Sequence, residues 1–326
     1  ACVRTWRSRP CHRHSRRRHR AAGALAAAQF RRDIGAAFDR LENRSHIAET
    51  PCGPIEYARE GTGAPVLVIH GMGGGFDQGL GLAQSYLSQG FQVIAPSRFG
   101  YLRTPLPKDA TPALQADAYA CLLDALGIQQ ASILTTSAGA TAALQFALRH
   151  PNRLNALVLH SPNAPGPVEM ALPPAALLKR LFRSDFTFWA MTSYLEPAMQ
   201  SFVGVPQGFA LNAQDRADVS HTLQSVLPVS PRSAGMIFDT YVSNPDINNR
   251  YPWASITAPT LVVSAVDDPM ALHVNARALA ESIPTAQLLA IPHGGHMMLG
   301  RAAEVSAAIS EFLFAHLGES KEDTVL

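Results

Sequence analysis

The sequence predicts an α/β fold in which a mostly parallel, doubly wound sheet carries an inserted helical cap. Short apolar runs typical of buried strands alternate with helical patterns over residues 47–160 and again over residues 260–317. Between these regions the alternation stops, and a cluster of prolines precedes helical stretches rich in leucine and aromatic side chains. Because parallel strands place their carboxyl ends at one edge of a sheet, we expect the functional residues at that edge.

These changes of pattern define the predicted domains. The core comprises residues 45–160 and 254–318, the helical cap comprises residues 161–253, and residues 319–326 form a frayed tail. Residues 1–20 are rich in arginine, histidine and serine and are predicted to be disordered. A short polar amphipathic helix is expected over residues 29–43, which completes an N-terminal segment of residues 1–44.

The N-terminal segment also has features of an export signal. Ser15-Arg16-Arg17 precedes a short apolar stretch that ends in Ala26-Ala27-Ala28, an arrangement that resembles a twin-arginine signal with a cleavage site. The apolar stretch is too short to span a bilayer, which takes about 20 residues. We therefore favour a cytoplasmic protein with no stable membrane span and keep export or membrane association as the alternative.

Charge and cysteine content argue against several other functions. Residues 1–32 hold ten arginines and no carboxylate, so the rest of the chain has 17 basic and 25 acidic residues and a charge of −8. That balance argues against a nucleic-acid partner. The four cysteines lack metal-ligand spacing, and no metal or cofactor is expected. Cys121 fits a helical pattern as a small core residue, so no disulfide framework is indicated, although a single pair stays open.

A serine lies on the corner between a predicted strand and a predicted helix. The apolar residues 131–134 are followed by Ser137 and then by a helix of small residues that begins at once. In so tight a turn the serine takes a strained backbone conformation and its neighbours must be small. The helix N-terminus favours negative charge that develops beside the Ser137 hydroxyl. The alternative is a serine that only caps a core helix, and Ser233 shows the same short Ser-Ala-Gly pattern without a preceding strand.

Three further segments favour a nucleophilic Ser137. Residues 66–75 predict a buried strand that ends in a glycine-rich loop, which can direct backbone N–H groups at an oxyanion. Residues 260–269 predict a second buried strand followed by two carboxylates. Residues 287–296 lead from a third strand to two histidines. The resulting order of serine, aspartate and histidine is the order that a nucleophile-elbow fold requires.

With these four motifs in this order, the chain resembles the α/β-hydrolase superfamily of serine esterases and lipases over about residues 50–317. The resemblance implies the α/β-hydrolase fold, with a cap inserted after the strand that follows the serine. It also implies a catalytic triad in which a histidine activates the serine and a buried carboxylate orients the histidine. The sequence departs from the superfamily motif at Thr135, where a glycine is usual.

Two carboxylates and two histidines compete for places in this triad. The superfamily acid usually occupies the fourth position of a G-x-x-D pattern, which corresponds to Asp268 and leaves Asp267 as a solvated loop acid. The superfamily histidine follows two small residues, as His296 does, whereas His293 stands where a small residue is usual. The resemblance therefore implies a triad of Ser137, Asp268 and His296.

The resemblance also implies an oxyanion hole and part of a substrate site. The backbone N–H of Ala138 follows the nucleophile, and the second N–H is assigned to Met72 in the glycine loop. Gly71 and Met297 are assigned to substrate binding. His70 either shapes the loop or takes part directly, and the aromatic and methionine side chains of the cap are expected to be mostly structural.

The leading functional hypothesis is a serine hydrolase that cleaves a carboxylic ester, thioester or lactone of a small hydrophobic molecule through an acyl-enzyme on Ser137. The superfamily also includes carbon–carbon bond hydrolases of ring-fission products and cofactor-free haloperoxidases, which stay as alternatives. Epoxide hydrolases and haloalkane dehalogenases use aspartate in place of Ser137 and are disfavoured. The oligomeric state is not predicted.

Two further hypotheses share the scaffold but differ in the step after substrate binding. A non-catalytic binding protein is disfavoured because such relatives commonly lose a triad residue, and none is missing here. Acyl transfer to an alcohol uses the same residues as hydrolysis and depends on the exclusion of water. A fluorophosphonate probe that labels Ser137 would separate an enzyme from a binding protein, and product analysis with added alcohol would separate transfer from hydrolysis.

Overall fold

The computed structural model describes residues 11–166 and 174–317. Within them eight strands form one sheet. The strands are β1 (His46–Ala48), β2 (Ile55–Glu60), β3 (Ala64–Ile69), β4 (Phe91–Pro96), β5 (Ala131–Thr136), β6 (Leu154–His160), β7 (Thr260–Ala265) and β8 (Ala286–Ile291). The α-helices are α1 (Cys11–Asp39), α2 (Phe76–Tyr86), α3 (Pro112–Ala125), α4 (Gly139–Arg149), α5 (Ala175–Phe182), α6 (Asp185–Tyr194), α7 (Glu196–Met199), α8 (Ala213–Ser225), α9 (Ser233–Phe238), α10 (Asn244–Asp246), α11 (His273–Ser282) and α12 (Ala302–Ala315).

The predicted mostly parallel sheet is confirmed. The strand order is β1-β2-β4-β3-β5-β6-β7-β8, in which β1 pairs antiparallel with β2 and β2 antiparallel with β4. All other neighbouring pairs are parallel. The central strands are apolar along most of their length because helices cover the sheet on both faces.

The helices divide between the two faces of this sheet. Buried side chains of α3, α4 and α11 form one apolar cluster with the sheet, and those of α2 and α12 form another with the opposite face. This arrangement is the predicted doubly wound fold.

The strand register brings the ends of the central strands to one edge. Ile69 of β3 pairs with Thr135 of β5, and Thr136 pairs with His160 of β6. His160 in turn pairs with Val263 of β7. The loops that leave these strands therefore start side by side, which places the glycine loop, the serine corner and the two carboxylates together.

The helices α5–α10 lie in the chain between β6 and β7, where the sequence predicts helical cap residues. We call residues 174–253 of this region the helical insertion. It has its own apolar cluster, in which Phe182, Phe188, Trp189 and Met236 are buried. These side chains are structural, as the sequence predicts for most aromatic and methionine residues of this segment.

The N-terminal helix corrects one prediction. Residues 11–20 were expected to be disordered, but α1 begins at Cys11 and continues to Asp39. Alanine and arginine are strong helix formers, and a packed helix extends readily in the N-terminal direction once it has nucleated. Residues 1–10 and the predicted tail 319–326 lie outside the described residues.

The C-terminal half of α1 packs on the helical insertion. The Phe30 ring lies 5.4 Å from the Trp189 ring, and Ala37 is buried. The Trp189 indole N–H donates a hydrogen bond of 2.8 Å to Asp33. None of the helices in the described ranges is both long and apolar enough to cross a bilayer.

A disulfide corrects the prediction made for Cys121. Cys52 and Cys121 are bonded, with their Cα atoms 6.1 Å apart, and the bridge joins the β1–β2 turn to α3. The partners are 69 residues apart in the sequence. Because a bridge depends on the distance between Cβ atoms in the folded chain, the cysteine spacing could not identify the pair.

Candidate active site

Ser137 occupies a strained corner between β5 and α4. Its φ angle is +52°, in the left-handed region that residues other than glycine rarely adopt. The Ser137 N–H donates to the His160 carbonyl at 3.1 Å, and the Ser137 carbonyl accepts from Asn163 N–H at 3.0 Å. These contacts with the end of β6 hold the corner in place.

Glycines next to this corner permit the close approach that a nucleophile elbow needs. A Cβ on Gly71 would lie 3.2 Å from Ser137 Cβ, and a Cβ on Gly139 would lie 2.7 Å from the His70 carbonyl oxygen. Thr135, which replaces the usual glycine of the motif, is fully buried, and its hydroxyl donates to Ile69 O at 3.3 Å. The threonine is thus accommodated in the β3–β5 pairing.

Asp268 and His296 form a direct pair beside this corner. The carboxylate can only accept, so His296 Nδ1 carries the proton and donates it to Asp268 Oδ2 at 2.8 Å. The other carboxylate oxygen accepts the backbone N–H groups of Met270 and Ala271 at 2.8 and 2.9 Å. The Asp268 side chain is fully buried and that of His296 is 13% exposed. The pair leaves Nε2 of the imidazole as the basic nitrogen.

Asp267 has a different role from the one predicted. The sequence indicated a solvated loop acid, whereas Asp267 accepts the N–H groups of Gly294 and Gly295 at 3.2 and 2.9 Å. Both glycines have positive φ angles, and within the described residues Asp267 is the acceptor of both N–H groups. Asp267 therefore fixes the backbone of the loop that carries His296. Nothing in the local sequence distinguishes its role from that of its neighbour.

Residues at the end of β6 connect Ser137 with His296. The Ser161 hydroxyl donates to the His296 carbonyl at 2.9 Å, and the preceding residue, His160, accepts from Ser137 N–H. The described residues contain no hydrogen bond between Ser137 Oγ and His296. The structure thus pairs the predicted acid with the predicted histidine and places the serine at the same strand end. Sequence reasoning missed Ser161, for which no motif exists.

The two predicted oxyanion donors have free N–H groups. Neither Met72 N–H nor Ala138 N–H donates to an acceptor in the described parts of the chain. The Gly71 N–H, by contrast, donates to Gln78 Oε1 at 2.8 Å. Gly71, predicted to bind substrate, contacts the nucleophile and has its own N–H engaged. Met297, also predicted to bind substrate, accepts a hydrogen bond from Tyr86 at its carbonyl and packs beside the apolar cluster of the insertion.

His70 shapes the glycine loop. Its Nε2 accepts the Arg98 N–H at 3.0 Å, so its proton is on Nδ1, which donates to Gly71 O at 2.7 Å. Complete burial, and then the charge of Arg98, hold the pKa of His70 well below 6.5. Both ring nitrogens are therefore used in positioning the loop.

His160 is a second buried neutral histidine. Its Nδ1 lies 3.1 Å from the Thr136 hydroxyl, and burial, followed by the nearby His296, lowers its pKa to about 3. A charged imidazole would be poorly solvated in this position.

Stability should therefore fall as the pH is lowered through 6.5. The unfolded chain binds protons at His70 and His160 while the folded chain does not, so the free energy of unfolding should fall by ~2.7 kcal/mol per pH unit between pH ~6 and ~5. The loss continues toward the folded pKa of His160, about 3. Urea unfolding at several pH values would measure the slope. His160→Asn should halve the slope, whereas the control His221→Asn, at an exposed position, should leave it unchanged. An unchanged slope in His160→Asn would contradict a neutral, buried His160.

Two buried ion pairs join the helical insertion to the core. Arg98 donates through both Nη atoms to Asp239, one bond being 3.0 Å long, and the Tyr101 hydroxyl also donates to Asp239. Arg232 donates to both oxygens of Asp77 at 3.0 and 2.7 Å. Both arginines are buried. Sequence reasoning missed these pairs because charged residues are by default expected at the surface.

No group of three or more histidine, cysteine, aspartate or glutamate side chains that could hold a metal ion occurs within residues 11–166 and 174–317. The side chains brought together at the strand ends are instead a serine, an imidazole and a carboxylate, with free backbone N–H groups beside them. This set can perform proton transfer and nucleophilic attack.

Comparison with known proteins agrees with the fold. The sequence matches the profile of the alpha/beta hydrolase fold over residues 64–301. It is 31% identical over 268 residues to 2-hydroxymuconate semialdehyde hydrolase from Pseudomonas putida. This alignment covers 78% of this chain and 89% of that protein. It is 30% identical over 246 residues to the putative carbamate hydrolase RutD from Klebsiella pneumoniae (strain 342). That alignment covers 72% of this chain and 85% of the relative.

A solved structure, an alpha/beta hydrolase fold protein from Nakamurella multipartita, superposes with a TM-score of 0.67 and 26% sequence identity. The match covers 83% of this chain and 99% of that one. Fold, strand order and sequence similarity agree, and the chain belongs to the alpha/beta hydrolase fold family and is a hydrolase of that fold.

Proposed function

We propose that the protein is a serine hydrolase that cleaves a carboxylic ester, or a related thioester or lactone, of an uncharged hydrophobic molecule. The observation that carries the proposal is the pair of His296 and the buried Asp268, beside a serine held at a positive φ angle. A carboxylate that receives two backbone N–H groups on one oxygen keeps its other oxygen directed at the imidazole. This is the arrangement that makes an imidazole an effective general base for a serine.

The proposed mechanism has two steps. Ser137 Oγ attacks the ester carbonyl carbon while His296 Nε2 accepts the hydroxyl proton, and Asp268 stabilises the imidazolium. The carbonyl oxygen gains negative charge and accepts hydrogen bonds from the N–H groups of Met72 and Ala138. The tetrahedral intermediate collapses, and the alcohol leaves with the proton from His296. A water molecule then attacks the acyl-enzyme by the same route and releases the acid and free Ser137.

Two features support an uncharged, apolar substrate. Met72 of the glycine loop, Met297 of the histidine loop and Phe202 of the helical insertion all pack against one apolar cluster near the site. The two buried arginines of the described residues, Arg98 and Arg232, are each paired with a carboxylate. A substrate carboxylate would have to compete with Asp239 or Asp77 for them. The helical insertion is proposed to act as a cap over this apolar site.

A second candidate function is carbon–carbon bond hydrolysis of a ring-fission product. It is favoured by the similarity to 2-hydroxymuconate semialdehyde hydrolase over most of both chains. The same serine, histidine and aspartate would be used, so the two functions differ in the bond that is cleaved. A muconate-type substrate carries a carboxylate. This candidate is therefore less consistent with the structure, because both buried arginines are already paired.

A substrate panel tests the choice. p-Nitrophenyl esters of graded acyl length would be assayed beside a lactone and a dienone ring-fission product. We expect turnover of the esters, with kcat/KM increasing from acetyl to medium-length acyl groups as more apolar surface is buried. Turnover of the dienone without turnover of any ester would replace the proposal by the second candidate.

A further inference from the structure

We propose that Gly204 of the helical insertion is a positioning residue for His296, so that the imidazole is held for catalysis only while the insertion is seated on the core. This inference rests on the proposed function of His296 as the general base. Gly204 follows the short 3-10 turn Gln200–Val203 and has a φ angle of +72°. Its carbonyl oxygen accepts the backbone N–H of His296 at 3.0 Å.

The contact between the two loops is made by backbone atoms on both sides. A Cβ on Gly204 would lie 2.3 Å from His296 Cβ, which is closer than two such atoms can approach. Reciprocally, a Cβ on Gly295 would lie 2.5 Å from the Gly204 carbonyl oxygen and 2.5 Å from Pro206 Cδ. At each of these two positions, any side chain larger than hydrogen would collide with the other loop. Both also have positive φ angles, a conformation that glycine adopts without strain.

The remaining anchors of His296 belong to the core. Asp268 holds the imidazole, Ser161 holds the carbonyl group, and Asp267 holds the two glycines that precede the histidine. These contacts leave the His296 N–H to be satisfied by Gly204, across the boundary between core and insertion. The histidine loop is thus clamped between the core on one side and the insertion on the other.

The two buried ion pairs described above fix the position of the helical insertion on the core. Arg98 with Asp239 and Arg232 with Asp77 hold the insertion against the loop that leaves β4 and the first turn of α2. A displacement of the insertion would separate Gly204 from His296 as well. Proton transfer between Ser137 Oγ and His296 Nε2 depends on their distance, and a misplacement of ~1 Å can lower the rate about 100-fold. Through this backbone contact, the position of the helical insertion determines whether His296 is placed to act as the general base.

The first test compares Gly204→Ala with Gly208→Ala. Gly208 lies in the same loop and has a φ angle of +78°, but a Cβ there would meet no atom within 4 Å. Both variants therefore carry the same backbone strain, and only Gly204→Ala pushes on His296. We expect kcat for the ester to fall about 100-fold in Gly204→Ala with KM little changed, and both constants to stay near wild type in Gly208→Ala. Thermal unfolding of the two variants would be recorded in parallel.

The second test approaches the contact from the histidine loop. Gly295→Ala is compared with Gly300→Ala, which has a φ angle of +70° and no atom within 4 Å of the added Cβ. Gly295→Ala should lower kcat as Gly204→Ala does, and Gly300→Ala should not. If Gly204→Ala does not fold, Gly295→Ala decides the question.

The outcomes separate this inference from the proposed function. Labelling of wild-type Ser137 by a fluorophosphonate, with slow labelling of both contact variants and wild-type rates in both controls, would support the coupling. Labelling of all variants at the wild-type rate would overturn the coupling and leave the serine hydrolase intact. Absence of labelling and of ester turnover in the wild-type protein would overturn both.

Discussion

Replacement of Ser137 by alanine is expected to lower kcat for ester hydrolysis roughly 10⁴- to 10⁶-fold. Alanine has no hydroxyl to form the acyl-enzyme, and water bound near His296 is a poor substitute. The Cβ atom is kept, so the close contact with Gly71 and the backbone strain at φ +52° are unchanged. Steady-state kinetics and fluorophosphonate labelling would measure the effect, and the thermal unfolding midpoint should change little.

Ser233→Ala is the matched control for this variant. Ser233 is followed by the same Ala-Gly sequence as Ser137, but it begins α9 and follows no strand. Its replacement should leave kcat and labelling at the wild-type level. Hydrolysis or labelling that persists in Ser137→Ala would show that another residue is the nucleophile and would remove the basis of the proposed mechanism.

The second large effect is expected at Asp239. Asp239→Asn keeps the volume of the side chain but leaves Arg98 buried without a counter-charge. Breaking a buried pair from one side costs about 3–5 kcal/mol, because the remaining charge is poorly solvated. The urea midpoint should fall accordingly, at an unchanged dependence on denaturant concentration. Since this pair also holds the helical insertion on the core, ester turnover should fall as well.

Asp124→Asn provides the comparison. Asp124 pairs with Arg153 at 2.7 Å, and its side chain is 63% exposed, so the same substitution removes the same kind of pair at the surface. Exposed pairs contribute about 0–1 kcal/mol. Equal losses of stability in the two variants would contradict the role assigned to burial.

Local patterns in the sequence predicted most of the secondary structure. The sequence around α3 is an example: Thr111 is a typical capping residue, a proline follows it, and Gly127 stands just beyond the end of the helix. In the structure the Thr111 hydroxyl accepts the Leu114 N–H at 3.1 Å. Capping and glycine termination depend on neighbours in the chain, so they can be read without tertiary information. The strand, serine and helix of the elbow were predictable for the same reason.

The divided roles of Asp267 and Asp268 were only partly predictable. Motif position indicated which carboxylate faces the imidazole, and the structure places Asp268 against His296. The role of Asp267 depends on N–H groups of Gly294 and Gly295, which lie 27 and 28 residues later in the chain. Two adjacent aspartates in a loop look alike until the folded chain determines what each one faces.

The long-range pairs could not be predicted from the sequence. Arg98 and Asp239 are 141 residues apart, and Arg232 and Asp77 are 155 residues apart. Charged side chains are normally solvated, so a sequence pattern places them at the surface unless partners can be identified. The extension of α1 was missed for a related reason, since an arginine-rich composition favours disorder and helix alike.

The hydrogen bond between Trp189 and Asp33 provides an internal optical reporter. Three tryptophans occur in the sequence: Trp6, Trp189 and Trp253. Trp253, the last residue of the helical insertion, lies beside Tyr251 in the apolar cluster of the sheet, and Trp6 lies outside the described residues. Indole emission responds to the polarity around the ring, so displacement of α6 from α1 would change the emission of Trp189 while Trp253 stays in the apolar cluster of the sheet. Intrinsic fluorescence would therefore report a displacement of α6 from α1 without an attached dye.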